Sequence, residues 1–226
     1  MQRMTELEPL YDKTVTCQYC DKTFVTKHVR IGASRLLKQD SDWCPYYEGE
    51  NPIFYDVFVC PHCGFAFTDS FSKLTPNSRV KIEKEYMEKL DSIPDITGKR
   101  SLPEAIRSYK MATVSSFFLN KAAITGNLFL RLAWLYRYKE DREEERDYLE
   151  KALLFYKDAY EKGSARYRVM SDHQLLYLIG DLSIRLGKTS EATKVFSLLF
   201  ADSSVPPKIK KRATERWQEF KSSEKD

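Results

Sequence analysis

Two segments of this 226-residue chain repeat one chemical arrangement: CQYCDKTF, from Cys17 to Phe24, and CPHCGFAF, from Cys60 to Phe67. A C-x2-C pair lets two thiolates grip one ion from a tight turn whose backbone N–H groups can donate to the sulfurs. Two such turns complete a tetrahedral shell. Cys17, Cys20, Cys60 and Cys63 are therefore expected to hold a single structural Zn2+, as in a zinc ribbon. Phe24 and Phe67 each follow their second cysteine by four residues, so the two knuckles should meet with approximate two-fold symmetry. The 39 residues between Cys20 and Cys60 exceed the commoner interval of about 15 to 20. Loop-closure entropy grows by only about 0.6 kcal/mol per doubling of length, so the tract reads as an insertion between the knuckles.

The insertion crowds Trp43, Tyr46, Tyr47, Phe54, Tyr55 and Phe58 around a fifth thiol, Cys44. These rings are expected chiefly to supply a core that a small ribbon lacks, or to dock it on helices. A sharper alternative makes Asp40, Asp42 and Tyr47 a binding surface beside the metal. Cys44 reads as a half-buried spectator rather than an exchanging ligand. His28 and His62 are substitute ligands by type, with His62 expected to face solvent.

The elements around these hooks fall into two regimes, which define an α+β chain: a small β-rich zinc-ribbon module followed by an all-α tetratricopeptide-like repeat domain. Residues 1–74 are punctuated by Pro, Gly and Asp, with strand-like runs HVRI and FYDVFV between turns. Residues 75–100 comprise a helix, SRVKIEKEYMEKL, and a linker, SIPDITGKR. Residues 101–226 read as helical, opening at the N-cap Ser101 before LPEA. Further helices are expected at about 122–139, 141–162, 170–186, 189–201 and 206–221.

Those helices repeat. Gly180, Gly187, Ala192 and Phe196 fall at the offsets of a tetratricopeptide unit, where small residues admit close helix packing and a large ring fills the seam. A looser copy has Leu132, Ala133 and Tyr136 facing Ala152, Tyr156 and Ala159, with about seven extra residues in the hairpin. Ala105, Tyr109 and Ala112 look like a preceding half unit. The GK[ST] fragment in LGKTS is no phosphate loop, because Leu182 stands where the first glycine is required.

Charge narrows the function classes. The chain carries 37 Lys/Arg against 33 Asp/Glu, a net +4. Residues 1–74 are net −2 and the remainder +6, so the ribbon half is the acidic one, unlike a nucleic-acid-binding face. The basic run KIKKR, Lys208 to Arg212, reads as a solvated helix face. The opening MQRMTELEPLYDK is polar and no apolar tract reaches membrane length, so a soluble cytoplasmic protein without a membrane partner is expected.

The paired knuckles, the stretch DSDWCPYYEGENPIFYDVFVCPHCGFAF and the trailing helices together resemble the uncharacterised bacterial domain-of-unknown-function family 2225, over residues 7 to about 200. The resemblance implies a cytosolic bacterial protein with a split zinc ribbon and tetratricopeptide-like helices, with ligands at Cys17, Cys20, Cys60 and Cys63. It implies no activity.

A non-enzymatic adaptor is the leading expectation, since no catalytic motif is found and four thiolates leave no open coordination position. Its helical groove should take a protein or peptide through Gln174, Tyr177, Asp181 and Arg185, joined by Asn127, Trp134, Arg137 and Tyr138 from the earlier copy. The alternatives are a nucleic-acid-binding ribbon, with KIKKR as an auxiliary contact, or a thiol redox sensor that expels zinc on oxidation.

Overall fold

The computed structural model describes residues 8–163 and 170–223. Its contacts divide the chain into two compact units, one of residues up to Gln39 together with Pro45–Leu119, the other of Asp40–Cys44 together with residues from Asn120 onward.

In the first unit, β1 (Leu10–Thr16) and β2 (Thr23–Val29) form an antiparallel hairpin in register Leu10↔Val29 to Thr16↔Thr23. The hairpin ends at the first knuckle. A second hairpin, β3 (Arg35–Gln39) with β4 (Pro45–Glu48), carries a bulge between Leu36 and Lys38. A short pair, β5 (Phe58–Val59) and β6 (Ala66–Phe67), flanks the second knuckle. FYDVFV is thus not one strand. Asn51 accepts from the Ile53 N–H at 3.1 Å and Pro52 presets the backbone, so Pro52–Tyr55 winds into a 3-10 turn before the chain extends.

Helices α1 (Pro76–Glu85) and α2 (Leu102–Phe117) complete this unit. Thr75 caps α1 through the Ser78 N–H at 3.1 Å, and Glu104 reaches back to the Ser101 N–H at 2.7 Å to open α2. The tract read as a linker is packed. Ile96 is buried, and Thr97 O accepts from the Lys27 N–H at 2.7 Å. Arg100, only 3% exposed, donates to Ile96 O at 3.1 Å, Phe54 O at 2.9 Å and Val57 O at 2.6 Å. Burial pulls its guanidinium pKa down to about 10, and backbone carbonyls rather than a carboxylate hold it. Helix α2 is likewise not the start of the helical stack: its fully buried Tyr109 donates to Ile53 O at 3.1 Å. The compact units therefore divide near residue 119 and not at residues 75 and 101.

The second unit contains α3 (Ala122–Tyr138), α4 (Arg142–Glu161), α5 (Asp172–Arg185), α6 (Thr189–Ala201) and α7 (Pro207–Ser223). Three-residue turns join α3 to α4 and α5 to α6. At the second, Gly187 takes φ 71° and the Lys188 N–H bonds Ser183 O at 2.8 Å, a left-handed helix ending that explains LGKTS without a phosphate.

Gly180 faces Phe196 so closely that a Cβ there would lie 2.9 Å from a ring carbon. In the earlier hairpin Gly126 faces Tyr156 in the same way, a Cβ there lying 2.8 Å from the ring, and Ala133 is buried on the same helix. Gly180→Val is expected to lower the melting temperature of the helical unit through overpacking of about 1–3 kcal/mol, read by circular dichroism. An unchanged Tm would show that the seam yields. The C-terminal helix closes the end of this unit, with Trp217 5.3 Å from Phe196 and 5.5 Å from Phe220, ring centre to ring centre.

Candidate functional site

The four predicted thiols converge. The Sγ atoms of Cys17, Cys20, Cys60 and Cys63 all lie within 4.8 Å of one another. Two of the separations, Cys17 to Cys63 and Cys20 to Cys60, are 3.7 Å. No two are joined as a disulfide. Their loops are near copies. The Cys17 N–H bonds Lys22 O at 2.9 Å and the Asp21 N–H bonds Cys17 O at 3.1 Å; in the second knuckle Cys60 N–H meets Phe65 O at 3.0 Å and Gly64 N–H meets Cys60 O at 2.8 Å. The residue after each second cysteine is left-handed, Asp21 at φ 59° and Gly64 at φ 77°. A Cβ at Gly64 would meet the end of the Leu90 side chain, Cδ1, at 2.8 Å, so there the left-handed backbone is the stronger reason for glycine.

The surroundings favour a cation. The Cys63 thiol, donating to Cys17, draws the Cys17 pKa down to about 5 against burial, while sharing that proton and burial push Cys63 up. Burial raises Cys60 to about 11. Four crowded thiols cannot all ionise without a countercharge, which a metal ion supplies. The Tyr19 N–H also points at Cys17 Sγ, 3.4 Å away. Tyr86 braces the second knuckle by donating to Gly64 O at 2.8 Å. His28 and His62 stand outside the cluster. His28 packs edge-on against Tyr11 with ring centres 5.8 Å apart, and His62 is exposed.

The predicted groove residues also have definite partners, and most meet the chain's own turn, Asp40–Cys44. Asp42 is fully buried. Its carboxylate accepts from Arg137 at 2.7 and 3.1 Å and from Trp134 Nε1 at 3.1 Å, with Arg185 at 3.4 Å. Arg137 also binds Asp40 at 2.8 Å and Glu145 at 2.7 Å. Tyr177 donates to Ser41 O at 2.8 Å, and Arg185 reaches Ser41 Oγ at 2.8 Å. Trp43 stacks on Tyr177 at 5.4 Å, and the Cys44 thiol donates to Tyr138 Oη at 3.6 Å. Burial opposes ionisation of Asp42, yet the Arg137 hydrogen bonds and the Arg185 charge outweigh it and hold its pKa below the usual 3.8. Burial pushes Cys44 up to about 12.

These positions are therefore not an open face. Trp134, Tyr177 and Asp181 are buried, with Asp181 tying Arg185 at 3.0 Å and Arg216. Asn127 accepts from Tyr156 Oη at 2.7 Å, and Gln174 caps α5 by accepting the Ser171 N–H at 2.9 Å. Asp40 and Asp42 pair with the helical unit's arginines. Each arginine also has an acid nearby in the chain, Glu145 for Arg137 and Asp181 for Arg185, so no local signal pointed to Asp40 or Asp42. Trp43 sits at φ 69°, a conformation that costs a bulky residue about 1–3 kcal/mol and recurs where ligands are clamped. In KIKKR, Lys208, Lys210 and Lys211 are exposed, as a solvated face requires.

Fold and site together define an α+β protein with a four-cysteine cluster in one unit and, in the other, helices packed on the Asp40–Cys44 turn. A family profile described as uncharacterised protein conserved in bacteria (DUF2225) matches residues 10–220, and the chain belongs to that family. No curated protein and no solved structure matches it. Among the described residues no helix is long and apolar enough to cross a membrane.

Proposed function

We propose that the chain is a non-enzymatic cytoplasmic adaptor, stapled by one structural zinc ion and binding a partner protein through its helical groove. One observation carries the reading: Arg137, Arg185, Trp134 and Tyr177 already act together on an acidic, tryptophan-bearing turn. That is the chemistry of peptide recognition, with charge-assisted hydrogen bonds for specificity and stacked rings as anchors.

The metal assignment rests on fit. Zn–S bonds of about 2.3 Å in a tetrahedron put sulfurs about 3.8 Å apart, close to the 3.7 Å separations of two thiol pairs. Four thiolates would supply a closed, structural shell, so Cys17, Cys20, Cys60 and Cys63 hold the two knuckles together and perform no reaction.

Capture from a bacterial lysate, with and without nuclease, tests the adaptor. Wild type is set beside a variant carrying Lys208→Glu, Lys210→Glu and Lys211→Glu, all exposed positions. A protein kept under every condition, and then bound by the purified chain at fixed stoichiometry, supports the proposal. Capture that disappears with nuclease and in the variant moves the function to nucleic acid.

A further inference from the structure

Building on the adaptor reading, we infer that the groove is a carboxylate receptor whose resident ligand is the chain's own Asp40–Cys44 turn, and that a partner's acidic, aromatic-bearing turn displaces it. The occupant is identified by what the receptor already holds. Arg137 grips both oxygens of Asp42 and one of Asp40, Trp134 Nε1 fixes the Asp42 carboxylate, and Arg185 adds a second guanidinium. Recognition of the backbone comes from Tyr177 on Ser41 O, and of the ring from Tyr177 under Trp43. A matching partner therefore presents two carboxylates two residues apart, followed immediately by an aromatic ring.

Exchange suits this contact better than permanent burial does. Its attractive part is polar and charge-assisted, and an incoming turn of the same chemistry can reproduce it bond for bond, so neither guanidinium is left uncompensated during occupancy by either ligand. The turn is closed by its own backbone, the Asp40 N–H on Cys44 O at 2.9 Å and the Trp43 N–H on Asp40 O at 3.0 Å, so it keeps its shape without the helices and an incoming turn of the same kind can present the same groups. Gly32 and Gly49, at φ 82° and 88°, lie on either side of the β3–β4 hairpin that carries the turn, positions where glycine takes up backbone rotation without a Cβ penalty. A ligand gains occupancy only through its affinity advantage over the resident, so the intact chain should bind such partners weakly and its opened form tightly.

Cys44 makes the exchange measurable. It is fully buried inside the turn and is the one cysteine outside the four-thiol cluster. In zinc-loaded full-length protein, its labelling by a thiol reagent reports departure of the turn. The probe is a synthetic copy of Leu36–Tyr47 carrying Cys44→Ser; the control probe also carries Asp40→Asn and Asp42→Asn. The acidic probe is expected to accelerate Cys44 labelling about tenfold at saturation, the control to have no effect. Equal rates with both probes, or no acceleration at millimolar probe, would overturn displacement. Acceleration that instead tracks protein concentration, with a dimer mass, would assign the groove to a second copy and overturn the partner's role. The adaptor reading falls separately, on the capture experiment, because captured protein can bind without displacing the turn.

Discussion

Cys60→Ser is expected to abolish metal binding and to remove the cooperative unfolding of the first unit while the helical unit still melts. Wild type should carry about one zinc per chain, since a four-thiolate shell of two knuckles suits one tetrahedral ion. The effect is large because structural zinc contributes about 10–16 kcal/mol of apparent binding free energy at neutral pH, all of it available to the folded state. The backbone does little to join the knuckles: β5 and β6 are two residues each, and the two backbone hydrogen bonds of each loop stay within that loop. Phe58, Phe65 and Phe67 stack beside the site, with Phe65 and Phe67 5.8 Å apart, but they pack on a scaffold the sulfurs hold in register. Elemental analysis with far-ultraviolet circular dichroism melting would check this. Iron in place of zinc, or a metal-free wild type whose melt Cys60→Ser does not change, would overturn it.

Asp42→Ala should destabilise the helical unit by about 1–3 kcal/mol, because it orphans the buried Trp134 Nε1–H and removes two Arg137 hydrogen bonds, while Arg137 keeps Asp40 and Glu145 and Arg185 keeps Asp181. Arg137 and Arg185, only 12% and 22% exposed at their side chains, would face each other across the vacated carboxylate. Asp42→Asn should recover only part of this, because the amide preserves shape and the Trp134 contact but not the charge. The same linkage acts through pH. The folded-state pKa of Asp42 lies below 3.8, so its stabilisation is complete above that value and fades as pH falls through the lower, folded one. Wild type should therefore lose helical-unit stability below about pH 4 more steeply than Asp42→Asn. Parallel acid melts of the two would refute the pairing as a source of stability.

Read alone, the amino-acid order determined the features that depend on neighbours along the chain. Two C-x2-C pairs specified the thiol cluster because a tight turn brings cysteines three apart onto one ion, and the matching phenylalanines foretold the matching knuckles. Apolar periodicity and turn signals located the helices within a few residues, with Ser101 opening α2 and Gly187 ending α5; the Ser171–Gln174 cap of α5 came only with the structure. The close pairing of Gly180 and Phe196 was legible from their spacing. The β1–β2 and β3–β4 hairpins were not, because their strands mix charges with apolar residues and β3 is exposed along its whole length. Nor was the place of α2, since Tyr109 pairs with a carbonyl 56 residues away.

Only the tertiary structure decided what these helical side chains meet. Arg137, Trp134, Tyr177 and Arg185 were grouped by type and spacing, but Asp42 lies 92 to 95 residues from the first two, and Ser41 lies 136 and 144 from the others. No local rule links positions so far apart. Glu145 and Asp181 already answer these two half-buried arginines from nearby in the chain, and the fold alone adds Asp40 and Asp42.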